Sequence, residues 1–375
     1  MRICSGIFFG VFLCAVAVAV SGLEHHDIVM DAYNLRMQGK ADKAKALLEQ
    51  HVSKNPDDAA AYYELARIEG YLRLGMVGGK GWTREEQLEM GSDIQALIDK
   101  AVELDPDNAI YAYFAGFNSI LQVYLYFMTG DQPSAKENLA RTVEAFEAAL
   151  RLKPDYHQAM LNLVDLYSAP VEYGGDRAKA EQYAKQLEEM DDVLGAKARS
   201  LLLSKEADKV DYWQEVLEKH EGNADVLEEL GKAYLDEDRV DDAVSYFEKA
   251  IEIDSKKVSL FLELSLYHSL RWLRAGDDKE LRRASVASGD AALKRYIESE
   301  PILPMLAYAI GARARLKSFS DDKEQSQALY RQAEALDPYF SRATSSPDPI
   351  LFIPPNEIYD GALIFYWATF LKAGE

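Results

Sequence analysis

Residues 223–255 read NADVLEELGKAYLDEDRVDDAVSYFEKAIEIDS, and their spacing decides the fold. Leu227, Leu230, Gly231 and Tyr234 fall at i, i+3, i+4 and i+7, one face of an α-helix. The polar turn Asp236-Glu237-Asp238 follows, and a second helix carries Ala243, Phe247 and Ala250 on one face. Gly231 and Ala243 are small where two helices must approach closely. Tyr234 and Phe247 are expected to fill the space between neighbouring hairpins.

Outward from this unit the same punctuation returns. Pro56, Pro106, Pro154 and Pro338 each follow a helical run and end it, because proline restricts the residue before it. Nine residues after such a terminator comes a large-small pair. The pairs are Leu65-Ala66, Ala115-Gly116, Leu163-Val164, Leu264-Ser265 (after Ser255) and Ile310-Gly311 (after Pro301). Second helices repeat as well, with Ala44 and Leu48, Ile98 and Ala101, Phe146 and Ala149, and Tyr330 and Ala333 at matching places. The phase divides the chain into hairpins at 25–56, 57–106, 107–154, 155–191, 192–222, 223–255, 256–301 and 302–338, of which 192–222 is the least regular.

This helix-turn-helix pattern of about 34 residues resembles the tetratricopeptide repeat, or TPR. One departure is Ser255, where the family usually places proline. The resemblance implies an all-α fold: a right-handed α-solenoid of about eight TPR-like hairpins, its concave face lined by the first helices. Pro56 to Pro106 spans 50 residues and Pro106 to Pro154 spans 48, so two hairpins carry a surplus near Gly75–Gly91 and Leu121–Ser134. Beyond Pro338 the pattern gives way to Ser345-Ser346-Pro347-Asp348-Pro349, Pro354-Pro355 and an apolar run from Ala362 to Leu371. The expected organisation is a signal peptide at 1–22, the solenoid at 23–338, and an irregular segment with a C-terminal capping helix at 339–375.

The export reading rests on Arg2, the apolar run Ile7 to Val20 and the small residues Ser21 and Gly22. That run is shorter than the roughly 20 residues of a membrane span. Both cysteines, Cys4 and Cys14, lie within it, so a mature chain has no disulfide and no cysteine-ligated metal. The expected location is periplasmic or secreted. Across 375 residues, 42 Lys plus Arg against 63 Asp plus Glu give a formal charge of −21, which repels nucleic-acid phosphate and anionic lipid. A membrane is therefore expected only by way of a partner.

Chemistry-bearing patterns are sparse. His25-His26-Asp27 chelates Cu(II) or Ni(II) only if cleavage leaves His25 third, and the other histidines are scattered singly. Gly75 to Gly81 has the composition of a phosphate loop but fails its spacing and follows a helix. Gly174-Gly175 reads as a turn, with Asp176 capping the next helix. The Asp pairs at 191–192, 241–242, 277–278 and 321–322 read as turns or helix starts. No enzyme, no cofactor, no metal site and no catalytic residue is expected.

Ala109 to Thr129 carries no charged residue and seven aromatics. Asn118, Ser119, Gln122 and its fixed phase argue for a helix buried in the solenoid rather than a membrane span. By that phase Ile110, Tyr113, Phe117 and Ile120 face the concave side, with Tyr113 and Phe117 on one stripe, while Phe114 and Ala115 face the hairpin partner. Matching positions elsewhere are Tyr63 and Arg67, Leu161 and Asp165, Leu262 and Leu266, and Tyr308 and Arg315. The candidate groove is Tyr63, Arg67, Ile110, Tyr113, Phe117, Ile120 and Tyr308. What resembles a TPR usually presents this face to a protein or peptide partner. The second candidate ligand is an apolar small molecule or lipid, as in exported TPR-like proteins beside periplasmic transport systems.

Overall fold

The computed structural model describes residues 28–77, 83–204, 206–320 and 322–339. The signal peptide expected at 1–22, His25 to Asp27, Gly78 to Gly81 and the C-terminal segment after Tyr339 lie outside them. Among the described residues sixteen α-helices form eight consecutive hairpins, with no strand. They are α1 (28–37) and α2 (Ala41–Val52); α3 (Ala59–Val77) and α4 (Arg84–Leu104); α5 (Ala109–Thr129) and α6 (Gln132–Leu152); and α7 (His157–Ser168) and α8 (Arg177–Met190). The second half comprises α9 (Asp192–Leu201) and α10 (Lys209–Lys219); α11 (Ala224–Asp236) and α12 (Val240–Ile253); α13 (Leu260–Arg274) and α14 (Lys279–Glu298); and α15 (Leu303–Phe319) and α16 (Lys323–Leu336).

The starts of these helices follow from side chains that satisfy the free N–H groups of the first turn. Asn108 accepts from the Ile110 N–H, Asp176 from Ala178 and Lys179, Asp191 from Val193 and Leu194, and Asn223 from Asp225 and Val226. Asp278 and Asp322 cap α14 and α16 in the same way, while Asp241 and Asp242 lie in the first turn of α12, beside its positive end.

In the third and sixth hairpins one close approach sets the packing. A Cβ built on Gly231 would lie 2.4 Å from the Phe247 ring, and one on Gly116 would lie 2.8 Å from the Phe146 ring. Phe247 thus packs against its own hairpin partner as well as joining the core with Leu260 and Phe261 of the next hairpin, between hairpins as the spacing had placed it. The two contacts are the same contact, although glycine and ring are 16 residues apart in one hairpin and 30 in the other. The surplus sits beyond the contact, in longer helices: α3 has 19 residues and α4, α5 and α6 have 21 each.

Helix α5 is buried between neighbours, and its polar residues explain how. Asn118 Nδ2 donates to the Gly91 carbonyl (3.2 Å) and to Gln95 Oε1 (2.8 Å) of α4. Ser119 Oγ also donates to Gln95 Oε1 (3.3 Å), and Gln122 Nε2 to the Gly91 carbonyl (3.3 Å). Buried polar groups need such partners. Among the described residues no helix is long and apolar enough to cross a membrane.

The first and last hairpins meet. Gly39, at φ +72° in the α1–α2 turn, places its Cβ direction 2.6 Å from the Leu336 carbonyl and 3.3 Å from the Leu303 side chain. Tyr71 of α3 donates its hydroxyl to Asp337, just after α16, and both residues are buried. A single hydrophobic core joins Ala32, Leu48 and Tyr71 to Tyr308, Ala312 and Leu316. The stack of hairpins therefore closes on itself.

Candidate functional site

The concave face is built from the first helices, α1, α3, α5, α7, α9, α11, α13 and α15. At 100° per residue, the side chain one position after each small packing residue points most directly to that face. These side chains are Tyr33, Arg67, Phe117, Asp165, Lys232, Leu266 and Ala312.

The predicted groove residues do not form one exposed wall. Tyr113 is 1% exposed, with its ring 5.3 Å from Phe146 and 4.9 Å from Tyr156 at the start of α7. Its hydroxyl accepts from Asn162 Nδ2 at 3.1 Å. Ile120 joins the same core between the third and fourth hairpins. Phe117 turns the other way, stacks on Phe114 at 6.1 Å, and packs with Ala66 and Ile98 of the preceding hairpin. The expected Tyr113–Phe117 stripe is therefore corrected: residues four apart differ by about 40° on a helix, enough to send them into different seams. Phe114 also packs with Ala66 and Ile98 of the preceding hairpin, because it lies about 160° around the helix from Gly116, while the cluster that holds it and Ala115 also takes in Ala145 of α6. Tyr308 is buried too. Of the seven residues, Ile110 is exposed, and Tyr63 and Arg67 are half-buried, Arg67 lying over the Tyr63 ring at 5.5 Å. Tyr63 in turn contacts Tyr111 at 4.8 Å and Phe114 at 5.3 Å. Burial pushes the hydroxyls of Tyr111 and Tyr156 up to about 12.

Charge marks two stretches of this face. At one, Arg36 of α1 donates Nε to Glu64 Oε1 of α3 at 2.9 Å, both residues being buried, and Arg67 lies 3.7 Å from the other Glu64 oxygen. At the other, charges from successive first helices interlock. Lys232 reaches Glu228 (2.6 Å), Glu229 (3.5 Å) and Glu263 of α13 (3.6 Å). Lys257, just before α13, bonds Glu228 (2.5 Å) and Asp225 (2.7 Å), and Lys197 of α9 reaches Glu229 (3.4 Å). Burial raises the Glu228 carboxyl, yet Lys232, Lys197 and Lys257 together hold it well below the ordinary carboxylate range. Sequence reading missed Arg36, Glu228, Lys232 and Lys257. The signal was present, since counting one position on from Gly231 gives Lys232, but the partners come from three hairpins.

Among the described residues no group of three or more His, Cys, Asp or Glu side chains is placed to hold a metal ion.

Residues 30–69 and residues 224–257 each match a family model described as tetratricopeptide repeat. The first match covers α1, α2 and part of α3, and the second covers α11 and α12, the hairpin whose spacing decided the fold. The chain therefore carries tetratricopeptide repeats in these two stretches. No curated protein matches it. Among solved structures, it is similar to MamA protein at 20% identity, covering 62% of this chain and 94% of that one, with a TM-score of 0.27. It is also similar to YrrB, described as a TPR protein with an unusual peptide-binding site, at 18% identity, covering 79% and 95%, with a TM-score of 0.23. A third similarity is to a human IFIT1 dimer with m7Gppp-AAAA, at 15% identity, covering 83% and 68%, with a TM-score of 0.33.

Proposed function

We propose that this protein is an exported, non-catalytic scaffold that binds a partner protein or peptide on its concave face. The observation that carries this reading is the ion-pair strip from Lys197 through Asp225, Glu228 and Lys232 to Lys257 and Glu263. It runs across three successive first helices and offers paired charges of both signs at repeat spacing, a pattern suited to an extended polypeptide rather than to one small molecule. Export is supported by the leader pattern at residues 1–22. The apolar small-molecule reading has lost its main support, because Tyr113, Phe117 and Ile120 are engaged in helix packing.

A peptide array probed with the purified mature chain tests the proposal. Hits should weaken at least tenfold on Lys232→Met with Lys257→Met, and should weaken above 0.3 M salt because charges steer and register such contacts. Binding that survives both changes, or that is abolished only by substitutions on the second helices, overturns the concave-face assignment.

A further inference from the structure

The first helices of the last two hairpins break with the charged pattern of the concave face. From Leu266, which points most directly inward on α13, steps of four and three residues lead to Leu270 and Leu273, within about 40° of the same direction. Helix α15 carries Ala312, Leu316 and Phe319 at the same steps, and Phe319 stacks on Trp272 with ring centroids 4.2 Å apart. Leu273 is 48% exposed, while Leu266, Leu270, Trp272 and Phe319 are half-buried. Exposed apolar residues standing singly need no explanation, but these lie along one helix face and its aromatic neighbour. Cations border them. Residues 271–283, RWLRAGDDKELRR, hold four Arg and one Lys against three Asp and Glu, a local charge of +2 on a chain of −21. The Arg282 guanidinium lies over the Trp272 ring at 4.9 Å, and that of Arg315 over Phe319 at 6.0 Å. Arg271 is 3.2 Å from Asp238 and Asp278 caps α14, which leaves Asp277 and Glu280 as the turn's remaining carboxylates. Arg274, Arg282 and Arg283 make no ion pair among the described residues.

We propose that the turn end of α13, with Trp272 and Phe319 beside it, is a docking surface for an acidic amphipathic helix of a partner protein. The spacing selects a helix, because apolar residues four and three apart form the seam against which a second helix packs. The guanidinium groups select acidic flanks. A guanidinium stacked on an indole is oriented by that contact and keeps its N–H edge for a planar acceptor, so carboxylates beside the partner's apolar stripe would meet Arg274, Arg282 and Arg283. The same carboxylates are repelled by the chain as a whole, so this patch differs in sign from its surroundings and fixes where such a helix comes to rest. Nucleic acid would use the same cations, but its phosphates form an unbroken row and leave the leucine stripe unmatched. Docking here rests on the concave-face reading above and adds the partner's chemistry and the end of the groove that receives it.

Fluorescence anisotropy with the full chain tests this, using synthetic probes of about 18 residues, five helical turns. One has Leu at alternating steps of three and four with Glu between, a second has the same residues scrambled, and a third has Lys in place of Glu. The acidic amphipathic probe should bind, and the scrambled one about tenfold more weakly or not at all. Leu270→Gln with Leu273→Gln, and separately Arg274→Gln with Arg282→Gln, should each weaken the acidic probe by about tenfold while helical circular dichroism is retained. The Arg pair keeps the test valid if the Leu pair fails to fold. Val171→Gln, at an exposed apolar position in the fourth hairpin, is the control and should leave binding unchanged. The Lys probe, drawn to the acidic chain at large, should be indifferent to all these substitutions. Failure of the acidic probe to bind, equal binding of the scrambled probe, or losses as large from Val171→Gln would overturn the docking surface. So would a Lys probe, or an oligothymidylate of similar length, that binds and is lost with the Leu and Arg pairs. Array hits that persist in the Leu-pair chain, with no binding of the acidic probe to either chain, would sink this surface and leave the concave-face reading standing.

Discussion

Gly231→Ala isolates the contact on which the repeat phase depends. Alanine is the better helix former by about 1 kcal/mol, so an unobstructed site would gain stability. Here the added methyl would lie 2.4 Å and 2.5 Å from two carbons of the Phe247 ring, against an optimum of about 3.5–4.0 Å. Phe247 is fully buried, so the ring has no free space to enter and the helices must part by about 1 Å. Overpacking of that kind typically costs about 1–3 kcal/mol, and the net expectation is a loss of up to about 2 kcal/mol. Gly70→Ala supplies the contrast: no described atom lies within 4 Å of its Cβ position, so it should gain about 0.5–1 kcal/mol. Phe247→Leu should relieve the Gly231→Ala clash, with a coupling of about 1–2 kcal/mol in a double-mutant cycle. Urea titration followed by tryptophan fluorescence suits the assay, because Trp213 packs in the core shared with Leu230 and Tyr234. A Gly231→Ala chain as stable as Gly70→Ala, with no coupling to position 247, would refute the packing assignment.

Three further expectations follow from buried charge. His268 is buried in α13, and burial, then Arg271, pushes its imidazole down to about 4. Its unfolded form binds a proton near pH 6.5, so stability should fall as pH drops from about 6.5 towards 4, by about 3 kcal/mol at most, and His268→Gln should flatten that slope. For Asp290 of α14, burial raises the carboxyl, but Arg313 (2.8 Å), Lys294 (3.1 Å) and Lys317 (3.2 Å) hold it below the ordinary range. Its contribution is present above about pH 4 and lost in acid; Asp290→Asn should cost about 3 kcal/mol at pH 7 and less at pH 2, as read from urea midpoints at the two pH values. Arg36→Met leaves the Glu64 carboxylate without its 2.8 Å cation and should lower the melting free energy by about 3–5 kcal/mol, whereas loss of less than 1 kcal/mol would contradict the burial of the pair.

The hairpins were readable because their determinants are local. In the third and sixth hairpins a glycine and a ring 30 or 16 residues on fix the pair of helices, and Pro154 closes the third where Ser255 closes the sixth. Concave positions were also readable as angles: Arg67, Asp165 and Phe117 do fall one step after their small packing residues. What the angles could not give was the fate of a side chain at the seam between two neighbours. Tyr113 and Phe117 differ by one helical turn, yet they enter different cores because Tyr156 and Ile98 lie on opposite sides of α5. The ion-pair strip was hidden for a related reason, since Lys197, Lys232 and Lys257 converge only once three hairpins are stacked. Closure was the least legible feature, because the Tyr71–Asp337 bond joins residues 266 apart in sequence.

That bond changes how the array should come apart. In an open stack each terminal hairpin has one neighbour, so unfolding begins as fraying at either end and moves inward with a broad, multi-step transition. A stack whose first and last members are joined has no such weak end. Opening it anywhere must break two interfaces at once, and the earliest step becomes loss of the Gly39–Leu336 and Tyr71–Asp337 contact. Hydrogen exchange in α2 and α16 should then be slowed to the level of the middle hairpins. Tyr71→Phe should speed exchange at both chain ends together, although they lie on opposite flanks of the sequence.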